Sequence, residues 1–363
     1  MPRQTDWTEL IKMWKWTDKE KYTLSVSDIL DGLNESQKQA VVSTDTHLLV
    51  VAGPGTGKTL TIVRRIAHLL QQGVSPDQII ALTFTNRAAR QMRERIESYP
   101  GITVKGTFIG TFHHLGLRLM RENLDEQFTV CAREEQTTIL KSITGSVAKA
   151  QASLEKISRV KNRMEEPDME DRDLYGAYET ALRRERWRDF DDLISIPVEL
   201  FKTNRIKGLL LNARTFIIVD EYQDISPAQY HLLKCMAGAH PQSMLCAVGD
   251  SDQAIYGFRG ADIQNFLAFG NDFPDAATVV LSENYRSTKT VLAAADRLIK
   301  NNVARVTKEL HARRGQGRPI VMLSIHDQRA EAEYIVQEIE HRVGGTSHFR
   351  LAGNGPALRH TPY

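Results

Sequence analysis

Five times along this chain a short apolar run gives way to a polar turn and then to a segment with helical spacing, a sixth run ends in a polar turn, and this alternation limits the fold more than any other feature. "HLLVVAG" leads into "GKTLTIVRRIAHLLQQG", where Ile62, Val63, Ile66, Leu69 and Leu70 recur at helical intervals and Gly73 supplies a stop. "QIIALTFT" precedes "NRAARQMRERIE", and "TFIIVDEYQD" precedes "SPAQYHLLKCM". "MLCAVGDSDQ" ends in a polar turn, "ATVVLSENYRS" leads into "TKTVLAAADRLIKNN", and "RPIVMLSIHD" into "RAEAEYIVQEIEHRV". Strands alternating with helices imply parallel βαβ units, hence an α/β fold with a buried parallel sheet. Ligands of such sheets bind at the carboxyl ends of the strands, where every one of these polar clusters falls.

Between about Cys131 and Arg188 the pattern changes to charged, helix-forming sequence such as "AREEQTTILKSITGSVAKAQASLEKISRVKNRM". A helical subdomain inserted between two strands of one sheet is expected there. The 363 residues suffice for two or three domains, and a formal charge of +2 leaves any nucleic-acid site to a local patch. Cys131, Cys235 and Cys246 have no metal-type spacing, which suits a reducing, cytoplasmic setting. No apolar run approaches the length of a membrane span.

The strongest chemical signal is "AGPGTGKT", Ala52 to Thr59, between a strand and a helix. Gly53, Gly55 and Gly57, with Pro54 and Thr56 between them, let backbone N–H groups surround a β-phosphate. Lys58 reaches the β- and γ-phosphates, the Thr59 hydroxyl ligates Mg²⁺, and the helix N-terminus adds partial positive charge. Ala52 stands where such loops usually begin with Gly. "FIIVDEYQD" supplies partner carboxylates: Asp220 for the metal, Glu221 to orient and deprotonate the attacking water. Acid pairs also cap helices, but with the phosphate loop they make a Mg²⁺-dependent NTPase site, which by itself does not distinguish a motor from a kinase or a transporter ATPase.

"VGDSDQAIYGFRG" sets Asp250, Asp252 and Gln253, groups that suit a phosphate or a metal, beside Tyr256, Phe258 and Arg259, which suit a base and its backbone. "TFTNRAA" places Phe84, Thr85 and Asn86 at another strand end, ahead of Arg87, Arg90, Arg93 and Arg95, and "GTFHHLGLRL" adds Thr111, His113 and His114. Singly these read as core and surface residues; together they sketch a groove with stacking faces and phosphate donors, the kind that holds a single strand.

Over roughly residues 33 to 340 the chain resembles superfamily 1 DNA helicases of the UvrD/Rep/PcrA type. "LNESQKQAV", "AGPGTGKT", "ALTFTNRAA", "GTFHHL", "DFDDLI", "VDEYQD", "VGDSDQAIYGFRGA" and "LSENYRS" stand in that family's order and spacing. The resemblance implies a RecA-like first lobe at 33–115 and 188–283, an inserted helical subdomain at 116–187, part of a second RecA-like lobe at 284–363, and an extension at 1–32. It implies that Gln37 reads the adenine edge, Tyr285 stacks on the base, Arg286 reaches the γ-phosphate as an arginine finger and Gln253 senses that phosphate, while Tyr256, Phe258 and Arg259 face DNA. The turn after Val248 would then couple nucleotide state to grip on a base. It further implies 3′→5′ movement on single-stranded DNA and at junctions with duplex, and leaves DNA repair, replication restart, plasmid transfer and defence open as its pathway.

Phe258 replaces a usual tryptophan, Arg87 a usual lysine and Leu60 a frequent arginine. The family's second lobe also carries two further motifs, one with a second arginine finger, and "GGTSHFRLAGNGPALRHTPY" does not continue its pattern. Because an arginine finger is worth ~10³–10⁵ in turnover, the expectation is a truncated or shortened relative with an exposed apolar face on its second lobe. Three readings follow: an ATP-driven motor, a catalytically weak ATP- and DNA-binding module, or the motor part of a helicase–nuclease whose nuclease lies elsewhere, since no further metal-binding carboxylate cluster is seen. "MPRQTDWTELIKMWKW" brings Trp7, Trp14 and Trp16 together with Leu10 and Ile11, either as an extension packed on the first lobe or as a helix that docks a protein partner.

Overall fold

The computed structural model describes residues 29–44, 47–207, 214–303 and 305–343; the tryptophan-rich start lies outside the described residues. Its centre is a six-stranded sheet built from β1 (Leu48–Ala52), β2 (Ile79–Leu82), β3 (Phe108–Gly110), β6 (Phe216–Val219), β7 (Met244–Gly249) and β8 (Ala277–Leu281). The order across the sheet is β3-β2-β6-β7-β1-β8, and every pairing is parallel. The α/β parallel fold read from the alternation is the one found.

Strand β1 shows why the sheet is buried on both faces. Leu48, Val50 and Ala52 join Ile62, Ile66 and Leu69 of the helix that follows, while Leu49 and Val51 join a second core under the opposite helices. All five residues are buried, each large aliphatic side chain contributing about 1.5–3 kcal/mol. Helices α1 (Glu35–Val42), α2 (Lys58–Gln71) and α3 (Asn86–Glu97) cover the first face. Helices α4 (Phe112–Asn123), α8 (Asp192–Lys202) and α9 (Pro227–Gly238) cover the other.

Helices α5 (Arg133–Thr144), α6 (Val147–Arg163) and α7 (Arg172–Arg184) lie between α4 and α8 in the chain and share a small core of their own around Leu140, Leu154, Ile157 and Tyr178. A two-residue parallel pair, β4 (Thr129–Val130) with β5 (Trp187–Arg188), closes the base of this excursion. Lys161 ties it to the returning chain: its Nζ stands 2.6 Å from Glu179, 2.7 Å from Asp189 and 2.7 Å from Asp192. These three carboxylates are a further cluster beyond the nucleotide loop, contrary to expectation, and an ammonium group already fills it.

Between β7 and β8 the chain forms α10 (Ile263–Leu267) and α11 (Phe269–Asp272); past β8 come β9 (Glu283–Asn284), α12 (Lys289–Ile299), β10 (His311–Ala312) and α13 (Gln328–Val343). Strands β9 and β10 pair in parallel. The strand expected in "RPIVMLSIHD" does not form. Residues 318–325 take no regular structure, and Ile320, Val321 and Met322 are exposed, as are Ile335, Val336 and Ile339 of α13. An apolar run becomes a strand only where a neighbour accepts its backbone hydrogen bonds, and none pairs with it among the described residues. No described helix is long and apolar enough to cross a membrane.

Candidate nucleotide and nucleic-acid site

Parallel strands deliver their carboxyl ends to one edge, so the polar turns stand side by side in the order Thr111, Phe84, Asp220, Asp250, Gly53 and Ser282. The phosphate loop follows β1, one strand in from the β8 end of that edge. Gly57 takes φ 90° and begins α2, and a Cβ there would stand 2.6 Å from Gln37 Nε2. Gly55 takes φ 71°, and a Cβ there would stand 2.5 Å from the Cβ of Arg286. Both positions need a left-handed backbone and an absent side chain, which only glycine combines. The Thr56 hydroxyl donates to Gly53 O at 2.8 Å and tightens the curl; Pro54 is exposed at its tip.

Lys58 Nζ donates to Glu221 Oε2 at 3.1 Å. Glu221 itself sits at φ 51°, ψ 47°, a left-handed conformation that costs an ordinary residue energy and that the surrounding bonds hold in place. Its N–H donates to Asp220 Oδ1, and Gln223 Nε2 donates to its Oε2, both at 3.0 Å. Asp220 is buried; burial and the neighbouring Glu221 raise its pKa to about 6. Asp224 is pushed up to about 6 for the same two reasons. Lys58 opposes both shifts.

Such a group of desolvated hard-oxygen carboxylates, with the half-buried Thr59 hydroxyl on the loop, fits a divalent cation like Mg²⁺. The fit rests on the donor chemistry and on the charge repulsion that a cation would relieve.

The "NYRS" segment closes over the loop. Tyr285 N–H donates to Gly55 O at 2.9 Å. Asn284, fully buried, donates to Pro54 O at 2.6 Å and accepts from the N–H groups of Arg286 and Ser287 at 3.0 and 2.7 Å. Asn284 was not among the expected site residues, yet it sets the positions of Tyr285 and Arg286, both exposed at the mouth. Tyr285 Oη donates to Glu283 at 2.6 Å and accepts from Asn34 at 3.0 Å. Arg313, Tyr285 and Asn34 hold Glu283 well down, at a pKa of about 2.

Gln37, expected at the adenine edge, lies against the phosphate loop. It is buried, its Oε1 accepting from Asn34 N–H at 3.1 Å and its Nε2 donating to Thr56 O at 2.9 Å. Asn34 returns the bond by capping α1. The glutamine thus ties a helix cap to the phosphate loop.

Asp250 and Asp252 do not face outward as phosphate or metal ligands would. Lys308 Nζ lies 2.5 Å from each, and Arg305 lies 2.9 Å from Asp252. Gln253 Nε2 donates to Asp250 Oδ2 at 2.6 Å, and Asp250 N–H donates to Gln223 Oε1 at 2.9 Å. One hydrogen-bonded chain therefore runs from Lys58 through Glu221, Gln223 and Asp250 to Gln253.

Three residues beyond Gln253, the Tyr256 ring crosses to the turn after β2 and stacks on Phe84, centroids 5.5 Å apart and planes 19° from parallel. Phe258, largely exposed, lies 6.0 Å from Tyr256. Arg259 is on the same short turn, Gly257–Arg259. Asn86 is exposed at the start of α3. The Thr85 and Thr111 hydroxyls are spent on capping α3 and α4, accepting from Ala88 N–H and His114 N–H at 3.1 and 3.2 Å.

His113 joins a different pair: it stacks on Phe190 at 3.8 Å and 19°. Burial pulls its pKa down to about 4, so the ring is neutral and offers a π face rather than a cation. Phe190 is half exposed and was missed; the signal was an aromatic inside the acidic run "DFDD", whose Asp189 and Asp192 turn inward to Lys161 and leave Phe190 outward.

Residues 33–274 match the family model of the UvrD/REP helicase N-terminal domain, and residues 279–351 match the UvrD-like helicase C-terminal domain. The chain belongs to the UvrD/REP helicase family. It is 37% identical over 349 residues to "ATP-dependent DNA helicase PcrA" of Staphylococcus aureus (strain Mu50 / ATCC 700699), covering 89% of this chain and 48% of that relative. To the PcrA of Staphylococcus epidermidis (strain ATCC 12228 / FDA PCI 1200) it is 37% identical over 351 residues, with the same shares covered. The chain spans about half the length of these curated relatives. As a member of the UvrD/REP family it carries all eight of the motifs read from its sequence on one edge of the sheet or on the helices that flank it.

Proposed function

We propose that this chain performs the ATP-hydrolysing and strand-gripping work of a UvrD-like DNA helicase, moving 3′→5′ on single-stranded DNA and opening duplex at junctions. The observation that carries the reading is the hydrogen-bonded chain from Lys58 to Gln253, which ends three residues before the ring that stacks on Phe84. A phosphate site and an aromatic platform linked through four side chains suit a protein in which nucleotide state controls grip.

In this reading Lys58 leaves Glu221 for the β- and γ-phosphates of ATP. The freed Glu221, still held by Gln223, orients and deprotonates the attacking water. Thr59 and Asp220 would hold Mg²⁺, which when bound would neutralise charge developing on the phosphates. Arg286, placed over Gly55, supplies further positive charge, Gln253 responds to the γ-phosphate, and Tyr285 stacks on the adenine. Gln37 serves by fixing the loop through Thr56. Phe84, Tyr256 and Phe258 stack on bases, with Asn86, Thr111, Arg259 and the His113–Phe190 pair lining the path. Residues 33–115 and 188–283 act as the first RecA-like lobe, 116–187 as the inserted helical part and 284–363 as part of the second lobe.

Strand displacement on tailed duplexes tests the reading. Displacement that needs ATP, Mg²⁺ and a 3′ tail is expected; displacement from 5′ tails alone, or without nucleotide, contradicts it. Tight binding of both ligands without turnover would favour the weak-module reading instead.

A further inference from the structure

Residues 305–314 run as a strap across three separate parts of the site. At one end Arg305 pairs with Asp252, Val306 N–H donates to Ser251 Oγ at 3.1 Å, and Lys308 sits between Asp250 and Asp252. In the middle Leu310 lies on the phosphate loop, its Cδ1 2.7 Å from where a Cβ on Gly53 would stand. At the far end β10 pairs with β9: His311 N–H donates to Ser282 O and Arg313 N–H to Asn284 O, both at 2.8 Å. Arg314 then donates to the backbone O of Arg286 at 2.9 Å.

Lys308 is the unusual member. Its side chain is 2% exposed between carboxylates that are 0% and 9% exposed. Removing such a charge leaves two buried carboxylates with one cation fewer, so the arrangement resists partial opening. Asp250 is also the residue that receives the chain from Lys58 and holds Gln253. The strap therefore grips the turn that carries Tyr256 at one end and the loop that carries Tyr285 and Arg286 at the other.

We propose that Lys308 is a positioning residue that locks the Asp250–Phe258 turn to the Tyr285–Arg286 loop through this strap, so that occupancy of the nucleotide site and grip on a single strand depend on one another. The inference rests on the proposed function above and assigns to the strap the linkage between its two ligands. Lys308 touches neither ligand; it acts by fixing the two segments that do. A purely structural lysine would, when lost, lower stability and weaken both ligands alike.

The test is the ratio of affinities for a fluorescein-labelled oligothymidylate with and without Mg²⁺ and a non-hydrolysable ATP analogue, for the full chain, Lys308→Met and Lys308→Arg. Couplings of this kind are typically ~5–150-fold, and the unmutated chain is expected to fall in that range. Lys308→Met is expected to bring the ratio close to one while either ligand alone binds within about threefold of the parent, and Lys308→Arg to restore most of the ratio. A Lys308→Met ratio equal to the parent's, with or without a common loss in both affinities, overturns the proposal, as does a parent that binds both ligands with a ratio of one. A parent that binds neither overturns the proposed function on which the strap's role depends.

Hydrogen exchange of the unmutated chain covers the case in which Lys308→Met does not fold. The ATP analogue is expected to raise protection together in residues 251–258 and 305–314. Protection confined to residues 53–59 overturns the proposal.

Discussion

Lys58 rests on Glu221, ammonium to carboxylate at 3.1 Å, in the place where a nucleotide's phosphates would come between them. The pair keeps in reach of one another the two residues to which the proposed function gives nucleotide binding and hydrolysis, each with a second duty once they part.

Those duties separate by mutation. Glu221→Gln keeps the hydrogen bond to Gln223 within reach but cannot take a proton, so nucleotide affinity is expected to hold while turnover falls by ~10²–10⁴. Lys58→Ala removes the cation that meets the phosphates, so affinity itself is expected to collapse. Titration with a fluorescent ATP analogue beside steady-state hydrolysis distinguishes the two.

Asp220 makes stability depend on pH. Its folded pKa of about 6 lies above the ordinary aspartate value of 3.8, through burial and then Glu221. The fold therefore binds this proton more tightly than the unfolded chain. The resulting stability is fully present below 3.8 and is lost as pH rises through about 6, beyond which the ionised group is a cost. Asp220→Asn is expected to raise stability at pH 7.5 by about 2–3 kcal/mol, with the gain fading towards pH 4, even as hydrolysis is lost. Denaturant unfolding at the two pH values checks it.

Phe84 and Tyr256 come from turns on different strands and meet face to face. Each stacked base is worth ~1–3 kcal/mol, so Tyr256→Ala or Phe84→Ala is expected to weaken binding to oligothymidylate by roughly 5- to 150-fold. Nucleotide affinity in the absence of DNA is expected to be unchanged. Fluorescence anisotropy reads both quantities.

Lys161 is surrounded by Glu179, Asp189 and Asp192, whose charges hold its pKa well above the ordinary lysine value despite the opposing burial. Lys161→Met strands these buried carboxylates and is expected to cost about 3–5 kcal/mol. Adding Asp192→Asn, which removes one of the stranded charges, is expected to recover part of the loss in chemical denaturation.

What could be read ahead of the structure was local. The phosphate loop needs its glycines within a few residues of one another, and the sheet announces itself because each parallel strand is apolar through its length, as Leu48–Ala52 is. What could not be read depends on partners far along the chain. The bonds that tie the Gln37 amide to Thr56 and Asn34 are of this kind. Asp250 and Asp252 looked like ligands until Lys308, more than fifty residues later, was found between them. Asn284 matters through the backbone atoms it meets, and Gln223 by joining the Glu221 carboxylate to the backbone N–H of Asp250. The apolar run at Ile320–Met322 carried a strand's composition, but pairing is a property of two segments, and composition describes one.

The central claim is that nucleotide chemistry at Lys58 and Glu221 answers to a strand held at Phe84 and Tyr256. ATP hydrolysis by this chain, with and without single-stranded DNA and beside Glu221→Gln, tests it most directly. Hydrolysis that DNA raises well above the Glu221→Gln level is expected. Hydrolysis that matches that level in the presence of saturating DNA would contradict it.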